Sequence, residues 1–394
     1  MSGSYLSSVG YKRRIPGGYR PKIPFGTYLA QGDNVLIWTA VVMPLFGLVM
    51  VYSASIFIAI DLYSLDWYYL YRQTFLVLLS FGALFLGMRL PVEQYQRYAK
   101  LLILAFLLLM LWQVFFGPVI RHTRRFIRIF SWTIQTSEFA RCIVIMYLAR
   151  VFSARPQLIE KFDLKFIAVL LPVAVMVILI YAQKDFSAAA MMAALAGALL
   201  LLAGLSWKLF SAVSLAALSS AAFFVWRSDY QLERIIAFLQ RIFLQADLTA
   251  TSNYHGLQSI LCFGCGGIFG VGLGSGIRKM LFLPEPHTDF IYATIGEELG
   301  LWGTVAVLVA FTMLMFRAVR VLKMQTDRFG FLLGSGLLIS LLMFAFVHMG
   351  VTTELLPVTG LPLPFISSGG SSLIVSMWSI GVLWNLSRRA NGYV

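Results

Sequence analysis

The amino-acid sequence predicts an all-α polytopic membrane protein of about ten transmembrane helices, and three observations carry that prediction. The 394 residues are 59% hydrophobic and only 12% charged, with a mean hydropathy of +0.82. A soluble domain usually carries about 25% charged residues, so lipid has to be the solvent for this much apolar surface. Apolar runs of about 20 residues, the length that crosses a bilayer as a helix, recur along the chain. The basic residues fall between those runs. The net charge of +14 therefore reads as basic membrane loops and not as a nucleic-acid surface.

Residues 1–34 are polar and basic and predict a cytoplasmic N-terminal tail, without the pattern of a cleaved signal peptide. A membrane domain over 35–388 follows. Its spans are expected at 35–60, 69–88, 101–120, 133–152, 165–182, 187–204, 207–226, 297–316, 329–351 and 371–387, and 389–394 form a short C-terminal tail. Unpaired backbone groups are costly in lipid, so each run is expected to be helical. With the N-terminus inside, the inner segments hold Lys12, Arg13, Arg14, Arg20, Lys22, Arg89, Arg97, Lys100, Arg150, Arg155, Lys161, Lys165, Lys208, Arg317, Arg320, Lys323, Arg328, Arg388 and Arg389. That is roughly twice the number on the outer side, which places both termini in the cytoplasm.

Residues 227–296 form one long outer segment between the seventh and eighth spans. Structureless loops of that length are uncommon and usually functional. Within it, Leu232, Ile235, Ile236, Phe238 and Leu239 recur at near-helical spacing, so Tyr230 to Phe243 predicts an amphipathic helix at the interface. A glycine-dense stretch from Gly264 to Gly276 follows. Cys262 and Cys265 make a C-x-x-C, but no second ligand pair lies nearby. A structural zinc needs four ligands, so the pair reads as small-residue packing.

Several groups are suited to chemistry. The outer segment Arg121 to Arg128 is strongly basic against the usual bias, Arg124 and Arg125 included. It either attracts a diphosphate head group or snorkels to lipid phosphate. Glu138 and Arg141 sit at i and i+3 inside the fourth span, as a functional pair or as an ion pair pinning helices. Asp185, in an outer turn, shapes a cavity or is solvated. The densest region runs from Gly272 through Arg278 and Lys279, then Glu285, His287 and Asp289, to Glu297 and Glu298. Its glycines let backbone N–H groups approach an anion. Its acids and His can take a hydroxyl proton, and its cations can stabilise a departing diphosphate. Asp289, Glu297 and Glu298 are expected to face the outer membrane surface. Leu355 to Ser372 carries three prolines and three glycines, including Gly369 and Gly370, beside Ser367. Such a segment cannot be a continuous helix. It predicts a re-entrant loop between the ninth and tenth spans, lining a cavity.

Three stretches together resemble the SEDS family (shape, elongation, division and sporulation), which includes FtsW, RodA and SpoVE. They are Leu283-Pro284-Glu285-Pro286-His287-Thr288-Asp289-Phe290-Ile291, then Gly296-Glu297-Glu298-Leu299-Gly300, then Leu361-Pro362-Leu363-Pro364-Phe365-Ile366-Ser367-Ser368-Gly369-Gly370-Ser371-Ser372. The resemblance covers nearly the whole chain. It implies a peptidoglycan glycosyltransferase that joins lipid II on the outer face of the bacterial cytoplasmic membrane. The implied partners are a class B penicillin-binding protein, other division or elongation membrane proteins, and membrane lipids.

The family's essential aspartate falls on Asp289. Its Q-P-S-E-x-x-K reads Gln135-Thr136-Ser137-Glu138-Phe139-Ala140-Arg141. Gly381 to Arg388 and Glu233 to Phe238 are more similar to the division and sporulation branch. The chain departs from the pattern at His122, Phe126, Lys184, His348, Glu354 and Ser368. Either the substrate head group differs or compensating pairs form.

The expected reaction is inverting transfer from a growing strand to a sugar hydroxyl of lipid II. Asp289 is expected to act as base or to position the acceptor. Arg124, Arg125, Arg278 and Lys279 would neutralise diphosphate with a divalent cation such as Mg2+ or Mn2+. Glu138 and Arg141 would hold the cavity wall. A lipid II transporter and a non-catalytic scaffold of the division machinery are the two rival functions.

Overall fold

The computed structural model describes residues 31–392 except 121–122, 130–131, 160–162, 227–231, 234–235, 237–253, 282 and 284. The basic tail over 1–30 and most of the Tyr230–Phe243 amphipathic helix therefore lie outside the described residues, as does His122.

Among the described residues, seven helices are long and apolar enough to cross a membrane. They are α1 (Asn34–Tyr63), α2 (Tyr68–Arg89), α3 (Val92–Phe116), α5 (Leu164–Ala182), α6 (Phe186–Ala203), α9 (Ile291–Lys323) and α10 (Arg328–Thr352). Three more helices coincide with expected spans: α4 (Thr136–Ala154, 19 residues), α7 (Trp207–Trp226, 20 residues) and α11 (Gly370–Ala390, 21 residues). The chain is a multi-pass membrane protein. Along α4 and α11 most side chains are buried, Arg141, Ser372, Ser376, Ser379 and Asn385 among them. These two helices face protein on most sides and tolerate polar residues that a lipid-facing span would not.

Small residues set the closest helix contacts. A Cβ on Gly381 would lie 2.3 Å from the Leu84 carbonyl, and one on Gly87 would lie 2.6 Å from that of Trp378. α2 and α11 therefore touch backbone to backbone, the membrane solution to helix association. At one end of the bundle Asp33 caps α1 and pairs with Arg317 at 2.9 Å. Arg389 pairs with Glu93 there.

Three boundaries differ from expectation, and one helix is added. The third helix begins at Val92 and not at 101, because Glu93, Gln96, Arg97 and Lys100 form a polar first stretch that a hydropathy window discards. The fourth span is not helical from 133. Phe126–Ile129 (β1) and Trp132–Gln135 (β2) pair antiparallel, with Phe126 opposite Gln135 and Ile129 opposite Trp132. Both strands are rich in aromatic and β-branched residues, which favour this pairing. A helix α8 (Tyr254–Gly266) lies within the segment 227–296, expected to be outer. The eighth span begins at Ile291 and breaks at Gly300, whose φ of 66° is left-handed. Only glycine takes that conformation at no steric cost.

The connections after α1, α3, α5 and α9's preceding turn all lie at one end of the bundle, as alternating helix direction requires. The α10–α11 segment lies at that end too, and it folds back into the protein as expected. Leu361, Leu363, Phe365 and Ile366 in it are buried. A Cβ on Gly47 of α1 would approach the Ile366 Cα to 2.7 Å, so the segment is packed on helix backbone.

Candidate active site

A cavity of about 1390 Å³ opens at this end. α2 forms one wall with Tyr69, Arg72, Phe75, Leu76 and Leu79. The β1–β2 hairpin adds Arg125, Arg128, Trp132 and Gln135, and the α5–α6 turn adds Lys184 and Asp185. The turn 285–290 contributes Glu285, His287 and Asp289, and the α10–α11 segment contributes Gly360, Gly369 and Gly370. Four cations, Arg72, Arg125, Arg128 and Lys184, face three carboxylates, Asp185, Glu285 and Asp289. An anion and a polyhydroxy group both suit such a lining.

The turn that presents Asp289 is locally stiff. Its backbone N–H donates to the Glu285 carbonyl at 3.1 Å, and Glu285 is held at a φ of 48°. A non-glycine residue in that region stores strain, and such residues gather at functional sites. Two bonds fix the turn to the re-entrant segment. The Ser367 hydroxyl donates to the Thr288 carbonyl at 2.7 Å, and the Ser368 N–H donates to that of His287 at 2.9 Å. Ser367 is thus a brace under Asp289 and lies outside the lining. Gly360 passes so close that its Cβ would stand 3.2 Å from the Asp289 carboxylate.

Asp185 is not solvated, against one of its two sequence readings. It is 3% exposed and caps α6 by accepting from the Ala188 N–H. It also accepts from Gln135 Nε2 at 2.7 Å and Ser137 Oγ at 3.2 Å, and stands 3.9 Å from Arg125. One carboxylate thereby ties the hairpin, α4 and α6 together. Behind it lies the Glu138–Arg141 pair, 2.8 Å apart and buried, with Arg141 over the Phe344 ring at 4.0 Å. It lies beneath the cavity without lining it.

The sequence placed Arg278, Lys279, Glu297 and Glu298 at an outer surface; the structure leaves Arg278 half-exposed and buries the other three. Glu297 and Glu298 are buried on the first part of α9. The glycine-dense loop does cradle anions, but these are the chain's own carboxylates. Glu297 accepts from the N–H groups of Ile277 and Arg278 at 2.9 and 3.1 Å. Glu298 accepts from Gly274 N–H at 3.2 Å and from the buried Lys279 ammonium, with Ser53 of α1 bonded to both. Arg278 is bonded to Gln258 at 2.7 Å. None of the four reaches the cavity. Arg124 does not reach it either; its guanidinium donates to the Val114 and Phe115 carbonyls at the end of α3.

Of the expected residues, the cavity brings together Arg125, Asp185, His287, Asp289, Gly369 and Gly370. It adds Tyr69, Arg72 and Trp132, which sequence reasoning did not assign to a site, and Lys184, a departure from the family pattern expected around the cavity. Arg72 had a signal, an arginine inside an apolar span, where ionisable groups are usually functional. The structure gives two departures from the family pattern a definite setting. His348 Nδ1 lies 2.7 Å from the Leu361 carbonyl. The Glu354 carboxylate occupies the space that a Cβ on Gly256 would need. Cys262 is buried and Cys265 exposed, both as free thiols. Among the described residues, no three His, Cys, Asp or Glu side chains converge into a metal site.

Residues 33–392 match the family model for the cell cycle proteins FtsW, RodA and SpoVE. The chain is 39% identical over 363 residues to a probable peptidoglycan glycosyltransferase FtsW of Geobacter metallireducens, covering 91% of this chain and 96% of that one. It is 31% identical over 358 residues to stage V sporulation protein E of Bacillus subtilis, covering 90% and 97%. Its fold matches a chain of a peptidoglycan synthase complex with a TM-score of 0.72, 24% identity and coverage of 91% and 98%. It also matches the rod shape determining protein RodA of Thermus thermophilus with a TM-score of 0.66, 23% identity and coverage of 91% and 97%.

Proposed function

This chain belongs to the FtsW, RodA and SpoVE family of cell cycle proteins, and from that premise we propose its function: it is a peptidoglycan glycosyltransferase. It polymerises lipid II into glycan strands at the outer face of the bacterial cytoplasmic membrane, with both termini in the cytoplasm. Its partner is a class B penicillin-binding protein that cross-links the product. The fold match to a chain of a peptidoglycan synthase complex supports that pairing.

The observation that carries the reading is Asp289, a carboxylate in a cavity that also holds Arg72, Arg125, Arg128 and Lys184. In the reaction the acceptor hydroxyl gives its proton to Asp289 as its oxygen bonds to the anomeric carbon of the growing strand. The bond from that carbon to the diphosphate oxygen breaks, and its electron pair leaves on the diphosphate. The cations stabilise that charge in a site of low dielectric. Asp185 holds Arg125 toward it. Divalent cations of the Mg2+ type are bound by one or two carboxylates plus substrate phosphates and need no three-ligand cage. Asp289 would be the carboxylate for such an ion, which would add further neutralisation of the diphosphate.

Removing a general base costs about 10²–10⁴ in rate. Asp289→Asn should therefore lose nearly all glycan product on a gel of lipid II reactions, while retaining its unfolding temperature. Normal polymer from that variant, or translocation of lipid II without polymer from the wild type, would overturn the assignment.

A further inference from the structure

The cavity face of α2 carries three kinds of side chain in an order that matches one molecule. Tyr69, Arg72, Phe75, Leu76 and Leu79 recur at three- and four-residue spacing and all line the cavity. Such residues stand on one helix face. At a rise of about 1.5 Å per residue, Arg72 lies about 4.5 Å below Tyr69, and Leu79 about 15 Å below it.

The upper part is aromatic and polar. Tyr69 packs against His287 with ring centroids 4.7 Å apart and the planes tilted by 56°, two residues from Asp289. It is buttressed by Tyr68 at 5.3 Å and Tyr63 at 6.2 Å, both edge to face. Rings held this way offer a rigid surface to the C–H face of a sugar. The middle is cationic. Arg72 lies over the Trp132 ring at 5.4 Å, which aims a guanidinium at the cavity without spending its charge on a carboxylate. The lower part is apolar. Phe75, stacked on Trp132 at 5.0 Å, is 51% exposed and Leu79 is 50% exposed, so the cavity is open to lipid along this face.

We propose that the cavity face of α2 is the seat of the incoming lipid-linked saccharide. Its sugar packs against Tyr69 and His287, its diphosphate lies on Arg72, and its polyprenyl chain runs over Phe75 and Leu79 into the membrane. The proton that Asp289 takes belongs to the acceptor, so the acceptor sugar has to lie beside Asp289 and hence beside His287 and Tyr69. The cations across the cavity, Arg125, Arg128 and Lys184, are left to the diphosphate of the growing strand. This assignment rests on the glycosyltransferase reading and adds to it which wall holds which substrate.

The test uses the full-length protein in nanodiscs with lipid II as the probe. A benzophenone side chain is placed at Leu79 and, separately, at Leu78, which is 65% exposed and outside the lining. Crosslinking to lipid II at position 79 should exceed that at 78 several-fold, and excess lipid II, but not free diphosphate or undecaprenol, should compete it away. Equal yields at the two positions would mean bulk lipid contact and would overturn the lane.

In polymerisation assays, Tyr69→Leu should raise the half-saturating lipid II concentration about 5–10-fold with little change in kcat, the worth of one aromatic stacking contact. Tyr69→Phe, which keeps the ring, should restore most of that affinity. Loss of kcat alone in Tyr69→Leu, or an equal defect in Tyr69→Phe, would refute the stacking role. The crosslink reads binding without turnover. A wild type that crosslinks at 79 but makes no polymer would sink the enzyme reading and leave the lane standing; polymer without selective crosslinking would do the reverse.

Discussion

Asp289 shows how a single residue acquires a role from its surroundings. Its turn is pinned from below by Ser367 and Ser368, and Gly360 crosses beside its carboxylate. Gly360 has a φ of 66°, so any side chain there is strained as well as crowded. Gly360→Ala should push the Asp289 carboxylate from its position. A misplacement of this size can cost about 10–100-fold in rate, so kcat in a lipid II assay should fall while lipid II crosslinking at position 79 persists. Unchanged kcat would show that the carboxylate has room to spare. Asp185 makes the opposite point. In sequence it is one acid beside a lysine in a turn, and only the fold reveals that it joins three elements.

At the scale of elements, the loop from Gly266 to Leu281 and the first part of α9 form one unit. Two buried carboxylates accept backbone N–H groups from the loop, and Lys279 neutralises Glu298 without solvent. Removing one partner of a buried pair leaves an uncompensated charge and costs about 3–5 kcal/mol. Glu298→Gln should accordingly lower the thermal unfolding temperature measured in detergent. The double variant Lys279→Met with Glu298→Leu should recover much of the loss, because no charge is then left stranded. A neutral Glu298→Gln would mean that water reaches this pair. The periodicity of apolar residues located these helices well, but it could not show the hairpin or the break at Gly300. Both depend on short-range backbone choices within windows that average to an apolar mean.

For the whole molecule, helix direction puts the cavity at one end and Asp33, Arg389 and Arg317 at the other. The proposal that the cavity opens on the outer side is checked by thiol chemistry. Burial pushes the Cys262 thiol up from its usual range and keeps it unreactive. Cys142 is buried as well, and Cys265 is exposed on α8. A membrane-impermeant maleimide applied to intact spheroplasts should label Cys265. A cysteine introduced by Asn391→Cys, in a Cys265→Ser background, should react only after the membrane is opened. Labelling of position 391 from outside would invert the topology and with it the assignment of the catalytic face.

The sequence by itself determined the membrane class, the order of the helices and the re-entrant segment. Hydropathy and proline or glycine content act locally, so they survive in one dimension. Which charges are available to a substrate was decided by tertiary structure alone. Arg278, Lys279, Glu297 and Glu298 looked like a binding set, but Lys279 and Glu298 neutralise each other inside the protein, Glu297 is held by backbone N–H groups and Arg278 turns to Gln258. Arg72, in the first turns of an otherwise apolar stretch of α2, stands in the cavity. The reason is that a buried charge must find a partner in three dimensions, and distance along the chain does not say which partner that will be.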